Sequence, residues 1–382
     1  MLYRELGKNK IKVSQLGFGC MRFPTLNNDS NNIDIEKTRK LLTYAINNGV
    51  NYIDTAYPYH GGKSEEVVGS ILNEEKLRDK VFLTSKLSLW MIESKDKQEE
   101  FLNNQLKRMN QEYFDFYLIH AIDKKAWETV KKYDTLAFIE KAKKEGKIKH
   151  VGFSYHDESI DLFKEVVDSY DWDLVQIQYN YLDEFFQAGR EGLDYCESRG
   201  IDCVIMEPLK GGQLANNLPK EVENVFKKAN KDDSYASWSL RWLYNHKNVK
   251  VILSGMGKLE EVVDNIKSAS KYKANELSDN EIKVINDAVN IINKKKRIDC
   301  TNCKYCMPCP QGVLIPNNFE YYNKYFYLDS KKNRDSIKFM YNKGFNNEEK
   351  ASACIKCGLC ETHCPQHLPI RDLLDKVKNI FE

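Results

Sequence analysis

The chain has 382 residues, of which 42% are hydrophobic, and its formal net charge is only +2. That length suits a barrel of roughly 250–300 residues with an appendage. The balanced charge gives no argument for nucleic acid or a membrane surface as a partner. No apolar run could span a bilayer, and the charged start Met1-Leu2-Tyr3-Arg4-Glu5 lacks the apolar core of a signal peptide, so we expect a cytoplasmic protein with no nucleic-acid and no membrane partner.

Short apolar runs alternate along the chain with longer stretches of helical period. The predicted strands are 13–19, 51–56, 81–87, 114–121, 149–155, 174–180, 202–209 and 250–256. The clearest helices are 36–48, 98–109 and 136–145, and Gly49 and Gly146 are placed to end two of them. This alternation predicts an α/β fold with a parallel sheet, and eight strands are the number that closes a (β/α)8 TIM barrel. The alternative is an open doubly wound sheet, although no Gly-x-Gly-x-x-Gly opens a helix after a strand.

The two ends of the chain add further elements. A hairpin, 3–5 with 10–12 about Gly7-Lys8-Asn9, is expected to plug the bottom of the barrel. After a helical pattern at 280–296, cysteine and proline appear and the alternation of strands stops. We therefore predict two domains, a barrel over 1–296 and a small cysteine-rich domain over 297–382.

Four titratable side chains follow successive predicted strands. Asp54 and Tyr59 come after the second strand, Lys86 after the third and His120 after the fourth. The C-terminal ends of the strands carry the active site in such barrels. The set fits carbonyl reduction, because a hydride that reaches a carbonyl carbon leaves an alkoxide that needs a proton. Tyrosine can supply it, and a nearby ammonium lowers a phenol pKa of about 10.

In this interpretation Asp54 holds Lys86 charged and His120 orients the carbonyl oxygen. Taken singly, each residue also has a structural explanation: Asp54 could cap a loop, Lys86 could be a counter-ion in the barrel core, and His120 could be a satisfied core histidine. Their joint occurrence at one mouth favours the catalytic interpretation, with Tyr57 as the competitor of Tyr59 for the proton-donor role.

The order Asp-x-x-x-x-Tyr, Lys and His on strands two, three and four resembles the catalytic tetrad of the aldo-keto reductases. The segments Leu16-Gly17-Phe18-Gly19 and Tyr59-His60-Gly61-Gly62-Lys63-Ser64-Glu65 resemble that family as well. The resemblance covers about residues 1–295. It implies an NAD(P)H-dependent oxidoreductase that reduces an aldehyde or ketone, with Tyr59 as the acid, and its spacing makes Tyr57 a packing residue.

The loops after strands seven and eight commonly bind phosphate in these barrels, although turn chemistry alone would also explain their glycines. In the family, the positions that Ser154 and Gln178 resemble hydrogen-bond the nicotinamide carboxamide. The residues predicted to contact the cofactor are Gly19, Cys20, Met21, Arg22, Ser154, Gln178, Met206, Pro208, Leu209, Lys210, Gly211, Ser254, Gly255, Met256, Lys258 and Asn265.

Three departures from the family leave the cofactor open. Glu261 replaces a basic residue typical of NADPH-preferring members, and Lys258 is the only nearby cation in the sequence. Met206 replaces the tyrosine on which the nicotinamide usually stacks, although a thioether can also pack on a ring. The choice between NADH and NADPH therefore stays open, and FMN is a third candidate.

Eight of the 11 cysteines lie in the last fifth of the chain, in two runs. The second run, Cys354, Cys357, Cys360 and Cys364 before Pro365, has the C-x2-C-x2-C-x3-C-P spacing of bacterial ferredoxins. The first run, Cys300, Cys303, Cys306 and Cys309 before Pro310, is one residue shorter. Eight thiolates suit two [4Fe-4S] clusters. Two zinc sites are the alternative, but zinc ribbons pair their cysteines two and two.

In two-cluster ferredoxins the fourth cysteine of each run ligates the other cluster. This resemblance implies that Cys364 joins Cys300, Cys303 and Cys306, and that Cys309 joins Cys354, Cys357 and Cys360. The segment 317–343 between the runs is helical in pattern and rich in aromatic residues, as in α-helical ferredoxins. The spacing does not decide whether the clusters transfer electrons or are structural.

Together the two halves predict a carbonyl reductase with a ferredoxin-type iron–sulfur domain. Its partners would be a small-molecule carbonyl substrate and a redox protein. Since a hydride carries two electrons and a cubane passes one at a time, a flavin would be the usual converter between them. The alternative is a non-catalytic redox sensor or electron-transfer partner built on the same barrel.

Overall fold

The computed structural model describes the chain except residues 28, 30, 217, 299, 301–305, 328–330, 365 and 366, and it describes only the backbone of residues 332 and 333. The chain divides into two compact units. The first comprises Met1–Gly211 and Ala236–Leu277, and the second comprises Gly212–Tyr235 and Ser278–Glu382. Within the described part of the chain, no helix has both the length and the apolar character that crossing a bilayer would require.

The first unit contains a closed barrel of eight parallel strands, which confirms the predicted fold class. A hairpin of β1 (Tyr3–Leu6) and β2 (Ile11–Ser14) precedes it. The barrel strands are β3 (Leu16–Gly19), β4 (Tyr52–Asp54), β5 (Phe82–Leu87), β6 (Phe114–Ile122), β7 (Ile148–Tyr155), β8 (Leu174–Gln178), β9 (Asp202–Met206) and β10 (Val249–Ser254). They pair in chain order, and β10 closes the ring against β3. The predicted strand 13–19 is therefore two strands, divided at Gln15 between hairpin and barrel.

Helices follow the strands of the barrel. They are α1 (Ile35–Asn47), α2 (Ser64–Glu74), α3 (Lys97–Met109), α4 (Lys124–Lys132), α5 (Thr135–Lys144), α6 (Ile160–Asp168), α7 (Gly189–Ser198), α8 (Lys220–Ala229), α9 (Tyr235–Tyr244) and α10 (Leu259–Lys271). Gly49 and Gly146 end α1 and α5 with φ angles of 96° and 72°, as their positions predict. Helix α4 is an additional helix between β6 and α5 that the sequence analysis did not single out. Helix α8 belongs to the second unit.

The hairpin plugs the barrel, as expected from the sequence. Leu6 and Val13 are fully buried and belong to the same hydrophobic cluster as inward-facing strand residues such as Tyr52, Phe116 and Leu174. The interior of the barrel is thus a packed core and not a pore. Because both faces of each strand are covered, the strands read as almost continuous apolar runs, and the polar side chains among them are conspicuous.

The second unit is helical in its described residues. After α11 (Asp279–Lys295), which a Ser278–Glu281 capping box begins, come α12 (Ile315–Tyr327), α13 (Lys331–Gly344), α14 (Leu359–Thr362) and α15 (Ile370–Phe381). Its core is built from apolar side chains of α12, α13 and α15, and cysteines of both runs pack against it. The helix predicted at 280–296 thus belongs to this unit. The boundary between two domains at residue 296 stays a prediction.

Candidate functional site

The four side chains predicted as a catalytic set lie together at the C-terminal end of the barrel. Lys86 on β5 donates to Asp54 Oδ1 at the end of β4 over 2.7 Å and to the carbonyl oxygen of Thr55 over 2.9 Å. Its ammonium also donates to the hydroxyl oxygen of Tyr59 over 3.4 Å. The ring of His120 on β6 lies edge-on to the Tyr59 ring, with 6.1 Å between ring centroids. The ammonium of Lys86 therefore contacts both the carboxylate and the phenol, and the imidazole lies beside the phenol ring.

Burial controls the charges of this cluster. It raises the pKa of Asp54 even though Lys86 opposes the shift. Burial also works against the ammonium of Lys86, but Asp54 and Tyr59 outweigh it and raise the pKa of Lys86. The pKa of Tyr59 is raised as well, because burial exceeds the lowering effect of Lys86. This net direction is opposite to the one we expected from the ammonium alone, and it keeps the phenol protonated.

His120 is a neutral imidazole in this environment. Burial, assisted by the positive charge of Lys86, lowers its pKa well below the ordinary value. Ser88 Oγ lies 3.2 Å from His120 Nδ1, and the exposed Trp90 ring packs 5.0 Å from the His120 ring. If the Ser88 hydroxyl donates to Nδ1, the proton sits on Nε2, where it can be donated to a carbonyl oxygen.

A buried polar network holds the backbone at Lys86. Gln105 Nε2 on α3 donates to the carbonyl oxygen of Lys86 over 3.1 Å and to Glu65 Oε1 over 2.7 Å. Ser85 Oγ donates to the same Glu65 oxygen over 2.6 Å, and the Tyr117 hydroxyl donates to Gln105 Oε1 over 2.6 Å. The sequence analysis did not select Glu65 or Gln105 as site residues. Glu65 lies on the helix directly after the Tyr59 turn, and no local sequence pattern indicates that its side chain is fully buried.

The predicted nicotinamide contacts lie on neighbouring strands. Ser154 Oγ accepts the backbone N–H of Ala121 over 2.7 Å, and Gln178 Nε2 donates to Asp183 over 3.4 Å. Gln176, two residues before Gln178 on the same face of β8, was missed. It pairs in register with Ser154, and its Nε2 lies 3.6 Å from Met206 Sδ.

Gln176 differs from Ser154 and Gln178 in the environment of its side-chain oxygen. It is buried, and among the described residues its Oε1 has no hydrogen-bond partner. A buried amide oxygen without a donor is costly unless a bound group supplies one. The primary amide of a nicotinamide could do so beside the Met206 thioether. The sequence did offer a signal for Gln176. Alternate residues of a strand lie on the same face, so Gln176 shares the inward face of β8 with the predicted Gln178.

The predicted phosphate loops carry ion pairs and short side chains. Asn265 Nδ2 on α10 donates to Ser254 Oγ over 3.0 Å, and both residues are buried. The Arg22 side chain packs along Gly255, where a Cβ would lie 3.0 Å from it, and its guanidinium pairs with Glu207 over 3.1 Å. Lys210 pairs with Asp183 over 2.5 Å.

The remaining predicted contacts are distributed around the same loops. Cys20 is buried at the end of β3, its N–H donates to the carbonyl oxygen of Asp54 over 2.8 Å, and burial raises the pKa of its thiol. Met21 is exposed, and the carbonyl oxygen of Pro208 accepts the Ser239 hydroxyl over 2.7 Å. The other predicted positions are Gly19, Leu209, Gly211, Met256 and Lys258, of which Met256 alone is buried. Tyr57 packs on Phe101, with ring centroids 5.1 Å apart.

The second unit contains a cavity of about 340 Å³ that cysteines of both runs line: Cys306, Cys309, Cys354, Cys357 and Cys360. Apolar side chains complete the wall together with Gln311, His363 and Arg371, and the backbone N–H of Lys356 donates to Cys354 Sγ over 3.4 Å. Among the described residues, no three His, Cys, Asp or Glu side chains surround one point as ligands of a single ion would. Five cysteines around one cavity suit a polynuclear cluster, in which each iron takes its own thiolate.

The other predicted cluster ligands are placed less completely. Cys300 and Cys364 pack against the core of the second unit but do not line this cavity. Cys303 lies outside the described residues. Cys309 is the member of the first run that the ferredoxin resemblance assigns to the second run, and it does border the cavity with Cys354, Cys357 and Cys360.

Comparison with known proteins finds two family matches along the chain. Residues 15–290 match the Aldo/keto reductase family, and residues 299–368 match the 4Fe-4S dicluster domain. The chain is 26% identical over 319 residues to the uncharacterized oxidoreductase YqkF of Bacillus subtilis, which covers 75% of this chain and 95% of that protein. It is 25% identical over 311 residues to the NADH-specific methylglyoxal reductase of Escherichia coli, which covers 68% of this chain and 91% of that protein.

Solved structures resemble the barrel in the same way. A thermostable aldo-keto reductase in complex with the inhibitor epalrestat shares 27% identity and a TM-score of 0.62, over 75% of this chain and 100% of that one. An aldo/keto reductase of Klebsiella pneumoniae in complex with NADP and acetate shares 25% identity and a TM-score of 0.59, over 74% of this chain and 95% of that one.

Replacing Lys86 by Met should destabilise the barrel by about 3–5 kcal/mol, because it leaves the buried Asp54 carboxyl without its cation. Adding Asp54→Asn should restore part of this loss. The pKa of Asp54, already raised, rises further in Lys86→Met, so the loss should grow as the pH increases above the unfolded value of about 3.9.

The measurement is urea unfolding followed by tryptophan fluorescence, since all 5 tryptophans lie in the barrel unit. The exposed Lys107→Met on α3 is the matched control and should leave the free energy of unfolding almost unchanged. Equal losses in Lys86→Met and Lys107→Met, or no recovery in the double variant, would contradict a charge pair that depends on both partners.

Proposed function

Because this chain belongs to the aldo/keto reductase family, we propose that it reduces the carbonyl group of a small aldehyde or ketone to an alcohol with NADH or NADPH. The observation that carries this proposal is the buried ammonium of Lys86, which contacts both the carboxylate of Asp54 and the hydroxyl of Tyr59. The name of the Escherichia coli relative, a methylglyoxal reductase, supports a small and reactive carbonyl substrate.

When bound at the mouth, a reduced nicotinamide would supply the hydride that the carbonyl carbon accepts. The neutral imidazole of His120 donates a hydrogen bond to the carbonyl oxygen and fixes its position. Tyr59, protonated at rest because burial raises its pKa, gives its proton to the oxygen as negative charge develops there. Lys86 stabilises the resulting phenolate, and Asp54 keeps the ammonium charged and aimed.

The residues that would hold the nicotinamide lie beside this set. The partnerless Oε1 of Gln176 would accept from the carboxamide, and Met206 would pack against the ring. Ser154 stands opposite Gln176 in the strand register, so it would bind the same amide group. Ser254, Gly255 and Arg22 lie farther along the mouth and suit the phosphates.

In the second unit, we propose two [4Fe-4S] clusters, one of them held by Cys309, Cys354, Cys357 and Cys360 around the shared cavity. When bound, such clusters pass one electron at a time. This would allow a redox protein to exchange electrons with the chain. The rival function, a redox sensor or electron-transfer partner without catalysis, has the cysteine runs in its favour, whereas the assembled Lys86 site favours an enzyme.

Replacing Tyr59 by Phe should lower kcat for methylglyoxal reduction by about 100-fold or more, because the proton donor is lost. Binding of NADH and NADPH should be unchanged. Tyr57→Phe is the matched control, since the Tyr57 ring packs on Phe101 and keeps that contact without its hydroxyl. Full turnover in Tyr59→Phe would remove Tyr59 from the mechanism, and inactivity of the parent chain on a carbonyl panel would favour the rival function.

The ligand assignment can be tested with three serine variants of the anaerobically purified chain. Cys309→Ser and Cys354→Ser should remove the same cluster signal in the electron paramagnetic resonance spectrum after reduction, with about half of the iron lost. Cys300→Ser should remove the other signal, while the barrel cysteine variant Cys196→Ser should keep both. If Cys309→Ser instead gave the spectrum of Cys300→Ser, each run would ligate its own cluster and the crossing would be wrong.

A flavin would be needed if the clusters and a hydride donor exchange electrons within this chain. The clusters pass single electrons, a hydride carries two, and a flavin can convert between them. On that basis we expect acid denaturation of the purified chain to release FMN, detected by its fluorescence. An extract that contains iron and sulfide but no flavin fluorescence would contradict FMN and leave the nicotinamide as the redox cofactor of the barrel.

A further inference from the structure

The wall of the barrel has an open edge beside Lys86, because β4 ends before β5 does. The pairing of the two strands ends at Asp54 and Thr84, where the Thr84 carbonyl oxygen accepts the N–H of Thr55 over 3.0 Å. The chain then leaves β4 for the turn that carries Tyr59. Carbonyl groups two residues apart in a strand point to the same side, so that of Lys86 faces the edge that β4 has left.

A side chain of α3 covers this edge. Gln105 Nε2 donates to the carbonyl oxygen of Lys86 over 3.1 Å and to Glu65 Oε1 over 2.7 Å. The three residues are fully buried, so these bonds are shielded from water. A buried carbonyl oxygen needs a donor, and here a side-chain amide takes the place of a neighbouring strand. Gln105 therefore fixes the backbone from which the Lys86 side chain extends.

The neighbours of Gln105 hold its amide in one orientation. The Tyr117 hydroxyl donates to Gln105 Oε1 over 2.6 Å, so this oxygen is the acceptor end of the amide. Glu65 and the Lys86 carbonyl both require a donor at the other end, and a flipped amide would bring its oxygen against two acceptors. The Ser85 hydroxyl donates to the same Glu65 oxygen over 2.6 Å. The network thus holds two consecutive residues of β5.

The ammonium of Lys86 has to reach two groups at once. It lies 2.7 Å from Asp54 Oδ1 but 3.4 Å from the hydroxyl oxygen of Tyr59. The second contact is already long for a hydrogen bond, so a small displacement of β5 would break it first. Resting on the proposed function, we propose that Gln105 is a positioning residue, which holds the backbone of Lys86 so that the ammonium stays within reach of Tyr59 during proton transfer.

A displaced ammonium would change the proton donor more than the binding of substrate. Burial raises the pKa of Tyr59, Asp54 and Cys20 act in the same direction, and Lys86 lowers it. The ring of His120 also faces Tyr59, but it is neutral. A weaker contact with Lys86 would therefore raise the pKa of Tyr59 further and make its phenolate less stable. Transfer of the phenol proton to the carbonyl oxygen would become slower.

The positioning role can be separated from a purely structural one by variants of two buried glutamines on α3. Gln105→Met removes the amide but keeps the length and nearly the volume of the side chain. Gln98→Met is the matched control, because Gln98 Nε2 also donates to backbone carbonyl oxygens, those of Lys95 and Tyr133, over 3.2 and 3.1 Å. Tyr117→Phe removes one hydroxyl from the network and is the milder variant should Gln105→Met not fold.

The experiment is steady-state reduction of methylglyoxal at neutral pH by the full chain, purified anaerobically. Gln105→Met should lower kcat about tenfold or more and change KM by less than about twofold, whereas Gln98→Met should keep both. Tyr117→Phe should lower kcat by a smaller factor. Oxidation of the alcohol product needs the phenolate, so its rate should rise with pH. In Gln105→Met and Tyr117→Phe that curve should be displaced to more alkaline pH, and in Gln98→Met it should not.

The outcomes separate this inference from the proposed function. Equal kcat values in Gln105→Met and Gln98→Met would overturn the inference and leave the proposed reduction standing. A lower kcat with an unmoved pH curve would also overturn it, because the loss would then come from the fold. If Gln105→Met does not fold, parent values of kcat and of the pH curve in Tyr117→Phe would have the same meaning. A parent chain that reduces no carbonyl compound would overturn the proposed function and this inference with it.

Discussion

The buried ammonium of Lys86 is the interaction on which the rest of the site depends. A charged group in the interior of a barrel is tolerated only when it is paired and fully hydrogen-bonded. Lys86 meets this condition with Asp54, Thr55 and Tyr59, all of which belong to β4 or to the turn after it. Because parallel pairing aligns β4 and β5, any slip of register would separate the ammonium from its carboxylate. Fold and chemistry are thus specified by the same contacts.

The barrel and the place of its site could be predicted from the sequence because both follow from local patterns. Strands buried on both faces appear as apolar runs, so Asp54, Lys86 and His120 stand out as the polar residues at their ends. The structure gathers these residues at one mouth together with Tyr59. A local sequence pattern cannot show how deeply a side chain is buried. Gln176 and Gln178 are the same residue type on the same strand face, and only the packed barrel shows that Gln176 is buried with a partnerless oxygen whereas Gln178 is half-buried.

The residues that the sequence analysis missed act through tertiary contacts. Glu65 and Gln105 are separated along the chain and lie on different helices, yet they meet behind Lys86. Their importance depends on burial, which no spacing encodes. The same holds for residues 212–235, which interrupt the barrel in sequence but belong to the second unit. For the cysteine runs the opposite is true, since metal-ligand spacing is local. There the spacing indicated the iron–sulfur domain, and the structure adds that Cys306 and Cys309 of the first run line one cavity with cysteines of the second run.

The raised pKa of Tyr59 has a consequence for the direction of the reaction. A proton donor must be protonated before the hydride arrives, and burial secures this at neutral pH. Lys86 has its effect later, when the phenolate appears and the ammonium 3.4 Å away stabilises it. Oxidation of an alcohol would require the phenolate at the start, which burial disfavours until the pH approaches the raised pKa. In the proposed reaction, the same pair of opposing influences therefore favours carbonyl reduction over alcohol oxidation at neutral pH.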